Sequence, residues 1–442
     1  MFSICGRQVK IIEEKTVTTY QQEEKVKDLY DVIVVGGGTA GIVAALQSAR
    51  AGARTLVVEK QGIPGGTMVT AGIPYPASFH AYGKQIIAGI GWELCLQTKK
   101  ETGEPLPEIN PENPRSGMAV NPAVFAALAE EKLLEAGADI LYHVMPASVA
   151  RKNDLWQVTL TTKTGLKPVA GKILVDCTGD ANVVSLAGFP VHVNPELQAA
   201  TLVVKVSGYD SERLDYQAIQ EAFEKEVAAG RMRREDPGWS RGKFEFFLRW
   251  YGGNRIHLPD VNGRTSEGKT VAEIEGRKAM LRILRFCRKQ PGLENFRIDW
   301  CAPECGIRET ATIVGKKFIT LTDYESGRVW EDAVCYSCYA VDIHRRDHTV
   351  FRDFKPGVYP TIPLGAMLPA GSTGIIAAGR CISGDWEASS SYRVEASCMA
   401  MGQAAGAAAA LAARRGVDLE QVPLSELHRL LRKHQAIVPG DI

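Results

Sequence analysis

The chain has 442 residues, a formal net charge of +1 and a hydrophobic fraction of 45%. The charge excludes a strongly basic nucleic-acid surface, the length suffices for two domains around a large core, and no uncharged apolar run is expected to approach a membrane span. The 10 cysteines are scattered, which suits reduced thiols in a cytoplasm better than a disulfide framework, and the N-terminal MFSICGRQVKIIEEK has no apolar signal segment.

Residues 1–28 mix apolar and charged positions and read as an arm. Residues 31–60, DVIVVGGGTAGIVAALQSARAGARTLVVEK, read as strand, glycine turn, helix, strand. The run DVIVV is apolar and β-branched, as a buried parallel strand requires. Gly36, Gly38 and Gly41 then form G-x-G-x-x-G. The first glycine permits the tight turn, the second admits a pyrophosphate against backbone, and the third lets helix pack on strand. Thr39 and Ala40 share that turn, and the helix that follows turns its free N–H groups and positive end to the phosphates. Glu59, followed by Lys60, ends the second strand, where a carboxylate accepts hydrogen bonds from an adenosine ribose. Together these pieces predict dinucleotide binding.

The next segment, QGIPGGTMVTAG (61–72), offers Gly65 and Gly66 to keep side chains away from a bound cofactor and Thr67 as a hydroxyl donor. Residues 73–91 read as a loop or short helix. They include His80, a weak candidate because a lone histidine is more often structural. Asn121-Pro122 reads as a helix cap followed by proline in the first turn, and Gly137 as the helix stop. Strands are predicted near 140–144, 149–151, 156–162 and 173–176. The last runs into DCTGD, which returns Thr178 and Gly179 to the cofactor face, with Asp180 equally suited to cap the following helix.

From 195 to 363 the pattern changes to strand-like runs (201–206, 255–258), a charged helix (216–229) and a longer one (271–289). No second nucleotide fingerprint occurs, so this reads as a substrate domain inserted into the cofactor domain. Arg308 and Glu309 lie in GIRETATIVG (306–315). Asp342 and His344 are two apart in YAVDIHR, so on a strand they share a face. A carboxylate beside an imidazole fixes its tautomer and raises its basicity, which suits a general acid or base. Cys301-x3-Cys305 and Cys335-x2-Cys338 hold enough thiols for zinc or an iron–sulfur cluster. The first spacing is atypical and neither pair sits in a glycine-rich knuckle, so no metal is expected.

The cofactor domain resumes with GIIAAGRCISGD (374–385): a short buried strand, a turn at Gly379-Arg380, then Asp385, placed to accept from cofactor hydroxyls. SYRVEASCMAMGQAAGAAAALAA begins a helix of small residues near Glu395. Arg393 and Val394 stand at its N-terminal border, where Arg393 is able to hold an anion. Residues 417–442 read as a linker, a short helix and a tail.

The segments VVGGGTAG (34–41), EKQGIPGGT (59–67), ILVDCTGDANVVSLAG (173–188), GIRETATIVGKKFIT (306–320), VDIH (341–344) and AAGRCISGDWEASSSYRVEASCMAMGQAAGAAAALA (377–412) together resemble the FAD-dependent oxidoreductase family that stands beside the fumarate reductase and succinate dehydrogenase flavoproteins and the 3-ketosteroid dehydrogenases. The resemblance implies an α/β fold: a Rossmann-like, glutathione-reductase-type FAD domain (29–194 and 364–416) with an inserted α+β substrate domain (195–363). It implies non-covalent FAD, since no histidine stands in the N-terminal FAD segment as an attachment point. It also implies that Arg308, His344 and Arg393 lie near the flavin. The expected activity is hydride exchange between flavin N5 and a small organic substrate, with a separate electron donor or acceptor. The alternatives are an FAD-dependent monooxygenase and a non-catalytic or RNA-associated flavoprotein.

Overall fold

In a computed structural model of the chain, the structure describes residues 27, 29–238, 242–346 and 348–442. The expected arm, 1–28, lies outside the described residues except for Lys27. The apolar run at 31–35 forms β1 (Leu29–Val35), and the glycine turn leads into α1 (Thr39–Arg50) and then β2 (Thr55–Glu59). β1 pairs in parallel with β2 on one side and with β3 (Gly165–Asp176) on the other. Asp139–Tyr142 extends the sheet in parallel beyond β2. The first half of β3 carries an antiparallel hairpin, Leu155–Thr162 with Met145–Lys152. Its last residues pair in parallel with β4 (Ile375–Ala377), about 200 positions away in sequence.

The β-branched run has a clear reason. Val32 and Val34 enter one hydrophobic core while Ile33 and Val35 enter another on the opposite face of the sheet. A strand covered on both faces needs apolar residues at every position rather than alternate ones.

The main core is closed by α2 (Glu395–Arg415), whose residues Ala396–Ala413 are buried throughout. By length and composition α2 could cross a membrane, so the expectation that no apolar run reaches that size fails here; the helix is 94% buried inside the fold. α2 runs parallel to α1, with Gly402 against the carbonyl of Ala40 and Gly406 against that of Ala44. A Cβ at either glycine would drive into that carbonyl oxygen. The Ser48 hydroxyl donates to the Gly406 carbonyl at 3.0 Å, which ties a side chain of α1 to the backbone of α2.

A second core is built from residues 200–307. Its sheet is antiparallel, Gly252–Leu258 and Arg297–Cys301 flanking Ala200–Ser207, and Ser266–Cys287 is its long helix. The expected insert reached 363, but Ile319, Tyr324, Val334 and Ile362 join the main core instead. Val191–Val193 pairs with Ala311–Ile313, and Ala333–Tyr336 with Thr361–Pro363, so the chain after 307 folds back against the first domain. Helix Ile90–Glu101, absent from the sequence reading, lies at 90–101; its hydrophobic residues are interrupted by charges and left no clear period. Asn121 caps Pro122–Glu135 as expected, accepting from the N–H groups of Ala123 and Val124.

Replacing Gly406 by valine forces the two helix backbones apart. We expect a loss of stability of about 1–3 kcal/mol, the usual cost of overpacking, read as a lower Tm. A mutant that melts with the wild type shows that α1 and α2 do not depend on this contact.

Candidate functional site

The glycine turn builds a bare helix end. Gly36 is at φ 102, and a Cβ there would strike the Cys177 carbonyl. A Cβ at Gly41 would strike the Gly36 carbonyl. α1 therefore begins without a side-chain cap, and no acidic residue occupies its first turn. The first-turn N–H groups of an α-helix have no intrahelical acceptors, and their dipole end is positive. Such a terminus fits a pyrophosphate. Gly65 donates to the Gly37 carbonyl at 2.7 Å, and a Cβ on Gly66 would meet Gly38, so the second glycine pair fits the loop onto the first turn itself. Thr67 follows in the 3₁₀ turn Gly66–Met68.

Glu59 is 5% exposed, with Oε2 accepting from Gly37 N–H at 2.6 Å and Oε1 from Gln61 N–H at 2.8 Å. Burial pushes its carboxyl up against the pull of those two donors. Lys60 turns the other way and pairs with Glu304 of the second core at 2.7 Å, so it tethers the insert.

Thr178 is held within its own turn, its hydroxyl donating to Asp176 Oδ1 at 2.6 Å. Asp176, not Asp180, caps the next helix, accepting from the N–H groups of Val183 and Val184. Asp180 instead pairs with Arg380 at 2.8 Å, and the same guanidinium donates to the Gly179 carbonyl at 2.9 Å. Gly379 sits between the starts of the two long helices, facing Ala40 and Cys398. Asp385 has both oxygens engaged by backbone: it caps Trp386–Tyr392 through Ala388 N–H and accepts from Leu321 N–H, each at 2.7 Å. Its place after the strand suggested a cofactor acceptor; its geometry makes it a splice between two segments. Val394 is the N-cap position of α2 and offers no side-chain cap.

The predicted chemical residues converge from three elements. Asp342 and His344 lie on strand Val341–His344, with His344 Nε2 3.2 Å from Asp342 Oδ1. Arg393, between Trp386–Tyr392 and α2, donates to the Asp342 carbonyl oxygen at 3.0 Å, with the carboxylate at 3.8 Å. Arg308 donates to the Ala199 carbonyl at 2.6 Å, and Ala199 N–H in turn donates to the His344 carbonyl. Arg393 approaches the Asp342 carboxylate, and the same charge also acts on Arg308 without a direct ion pair.

A carboxylate only accepts, so Asp342 holds His344 as the Nε2–H tautomer. Nδ1 faces the Thr349 hydroxyl at 3.5 Å. The expected gain in basicity is reversed. Burial and Arg308 lower the imidazole to about 4, outweighing Asp342. Burial pushes the Asp342 carboxyl up, but the hydrogen bond and charges of His344, Arg393 and Arg308 hold it at about 2. Arg308 itself is lowered to about 9 by burial and by Arg393.

Sequence reasoning missed His257 and Gln198. His257 is buried 6.3 Å from His344, ring to ring, and burial with Arg308 lowers it to about 3. Its signal was the alternation Arg255, His257 on strand Gly252–Leu258, the same spacing as Asp342 and His344. Gln198 precedes its strand in a stretch with no period and left no signal. His80 is a core residue edge-on to Trp92. Cys305 lies in the second core and Cys335 and Cys338 in the main one, so the four thiols do not converge; among the described residues no group of three or more His, Cys, Asp or Glu is placed to hold a metal.

The two buried neutral imidazoles set a pH dependence. Between about pH 6.5 and 4 the unfolded chain takes up protons that folded His344 and His257 refuse, so stability rises with pH across that window. Asp342 adds a further loss only below the ordinary aspartate range. We expect Tm to fall from pH 7 to pH 5, and the fall to shrink in the His344→Asn variant. An equal fall in both proteins removes His344 from the cause.

Over 214 residues, 43% of this chain and 70% of the relative, the sequence is 31% identical to a thiamine thiazole synthase of Saccharolobus islandicus. Among solved structures, a geranylgeranyl bacteriochlorophyll reductase-like protein from Thermoplasma acidophilum matches 92% of this chain and 85% of its own at 14% identity and a TM-score of 0.44. CabE, an aromatic hydroxylase from angucycline biosynthesis, matches 40% of this chain at 19% identity and a TM-score of 0.28; the match spans 37% of its length, as it does for BexE. A family model described as FAD dependent oxidoreductase matches residues 31–431, so the chain, with its bare glycine-turned helix end, belongs to that family and takes FAD as its cofactor.

Proposed function

We propose that this chain is an FAD-dependent dehydrogenase or reductase of a small organic substrate that carries an anionic group. The observation that carries the reading is the pairing of buried Arg308 with partly buried Arg393, both under the charge of the one Asp342 carboxylate, beside a neutral imidazole. Burying a cation without a full counter-charge is costly. A bound anion supplies the missing charge.

The first turn of α1 and Glu59 would hold the pyrophosphate and ribose of FAD, and the N-terminus of α2 would lie toward its ring. When bound, FAD supplies two-electron redox chemistry. The protein's own share is binding and proton handling. Arg308 binds the substrate anion. That anion screens Arg308 from His344 and raises the imidazole toward neutral pH, so substrate binding itself readies the base. Asp342 keeps the proton on Nε2, which leaves Nδ1 as the accepting nitrogen.

Two variants test these roles. Arg308→Gln should weaken kcat/KM on the order of tenfold to a hundredfold, the loss of one charge-assisted hydrogen bond. His344→Gln should slow anaerobic flavin reduction roughly 100-fold or more with little change in KM. Substrates are found by screening the yellow protein anaerobically for compounds that bleach the flavin. If both variants reduce as fast as wild type, the roles are wrong. Rapid NAD(P)H consumption with peroxide release would replace the dehydrogenase reading with a monooxygenase.

A further inference from the structure

Gln198 is 2% exposed and belongs to neither glycine turn nor catalytic strand. Its Oε1 accepts from two donors at once, His344 N–H at 3.2 Å and Arg393 Nη2 at 3.3 Å. This fixes the amide. Turning it over would set an NH₂ group against two donors and leave the oxygen without either, so the assignment of oxygen and nitrogen is dictated by its neighbours. The consequence is that Nε2 points away from both, and it has no hydrogen-bond partner although it is fully buried. The Nε–H of Arg393, on the guanidinium bonded to the same amide, is also buried without a partner. An unsatisfied buried donor costs about 1–3 kcal/mol, and native folds keep few of them. Two on side chains hydrogen-bonded to each other share a single explanation.

We propose that Gln198 Nε2 and Arg393 Nε form one donor edge that binds a carboxylate of the substrate. The proposal rests on the oxidoreductase reading above and narrows its substrate class to organic acids. A carboxylate is planar and acceptor-only, so its two oxygens satisfy two donors without needing an acceptor from the protein. An amide or alcohol of the same shape brings an N–H or O–H into a ring of donors and is refused. Besides Asp342, Glu309 is a competing acid, its Oε2 receiving the Gln198 backbone N–H at 3.4 Å; burial pushes its carboxyl up toward the neutral form, which lessens its repulsion of a bound anion.

The test uses the FAD-loaded protein and a panel of sodium carboxylates of two to six carbons, aliphatic and aromatic, each with its matching amide. Binding is read from shifts in Tm and from perturbation of the flavin visible spectrum. Wild type should bind at least one carboxylate roughly tenfold or more tightly than its amide. Gln198→Glu is the decisive variant. It keeps an acceptor for His344 N–H and Arg393, so the fold contacts survive, but it replaces the free donor with a negative charge. Carboxylate binding should be lost in Gln198→Glu and weakened roughly ten- to a hundredfold in Gln198→Met. A purely structural role for Gln198 predicts the opposite order, with glutamate at least as good as glutamine. Retained carboxylate affinity in Gln198→Glu overturns the proposal, as does a wild type that binds no acid in the panel. Acids that bind through Gln198 yet never reduce the flavin would leave the subsite standing and remove the dehydrogenase reading. A substrate that reduces the flavin equally well in Gln198→Glu would do the reverse.

Discussion

The contact on which the structure depends is the backbone approach of α1 to α2. Gly402 and Gly406 lack the Cβ atoms that would hold the helices apart, and the Ser48 side chain of α1 bonds the backbone of α2. Because Ala40 meets Gly402 and Ala44 meets Gly406, the helices are parallel and their positive ends point the same way. α2 begins at Glu395, about 10 Å along the axis before Gly402 at about 1.5 Å per residue. Two helix ends are thus offset along one line, the first bare of caps and the second carrying Arg393 at its entrance. The sheet supports the same arrangement, since β4 returns to β3 just before α2 starts.

The charge balance at the junction follows from this placement. Arg393 is brought in by α2, Arg308 by the end of the second core, and Asp342 and His344 by a strand that belongs to neither. No one element could have been tuned to neutrality by local sequence. The result is a cluster whose single firm anion, Asp342, is shared three ways, and whose imidazole is kept neutral by burial and by cations rather than activated by its acid. A base that is weak in the free protein and strengthened by an anionic partner has a useful property: it is least reactive when no substrate is present.

The fingerprint was legible because its physics is local. Gly41 is forced by the Gly36 carbonyl five residues back, and strand, turn and helix follow in order; only the Gly36 contact with Cys177 reaches across the chain. The convergence of Arg308, Asp342, His344 and Arg393 was reached only through the family's motifs and through the period-two spacing of one strand. The environment of those residues was not legible, since the drop in His344 basicity depends on an arginine 36 positions away. At Asp385 and Thr178 the sequence suggested a cofactor role but gave no sign that backbone N–H groups and Asp176 also engage their side-chain oxygens. Gln198 was invisible because an isolated glutamine carries no pattern; only the two donors facing its oxygen give it a direction.

The insert must be held rigidly if three separate elements are to meet within hydrogen-bond distance. Glu304 does this at the edge of the second core. It accepts from Lys60 at the end of β2, from Gln61, and from Lys269 on the long helix of its own domain. Burial pushes its carboxyl up, yet Lys269 and Lys60 hold it at about 2, so it is charged at neutral pH. Isolated surface pairs contribute little to stability, but a half-buried carboxylate shared by two lysines and an amide is a network with defined geometry. It joins the strand that carries Glu59 to the segment that, four residues on, carries Arg308. The segments that carry Glu59 and Arg308 are therefore linked through one acid.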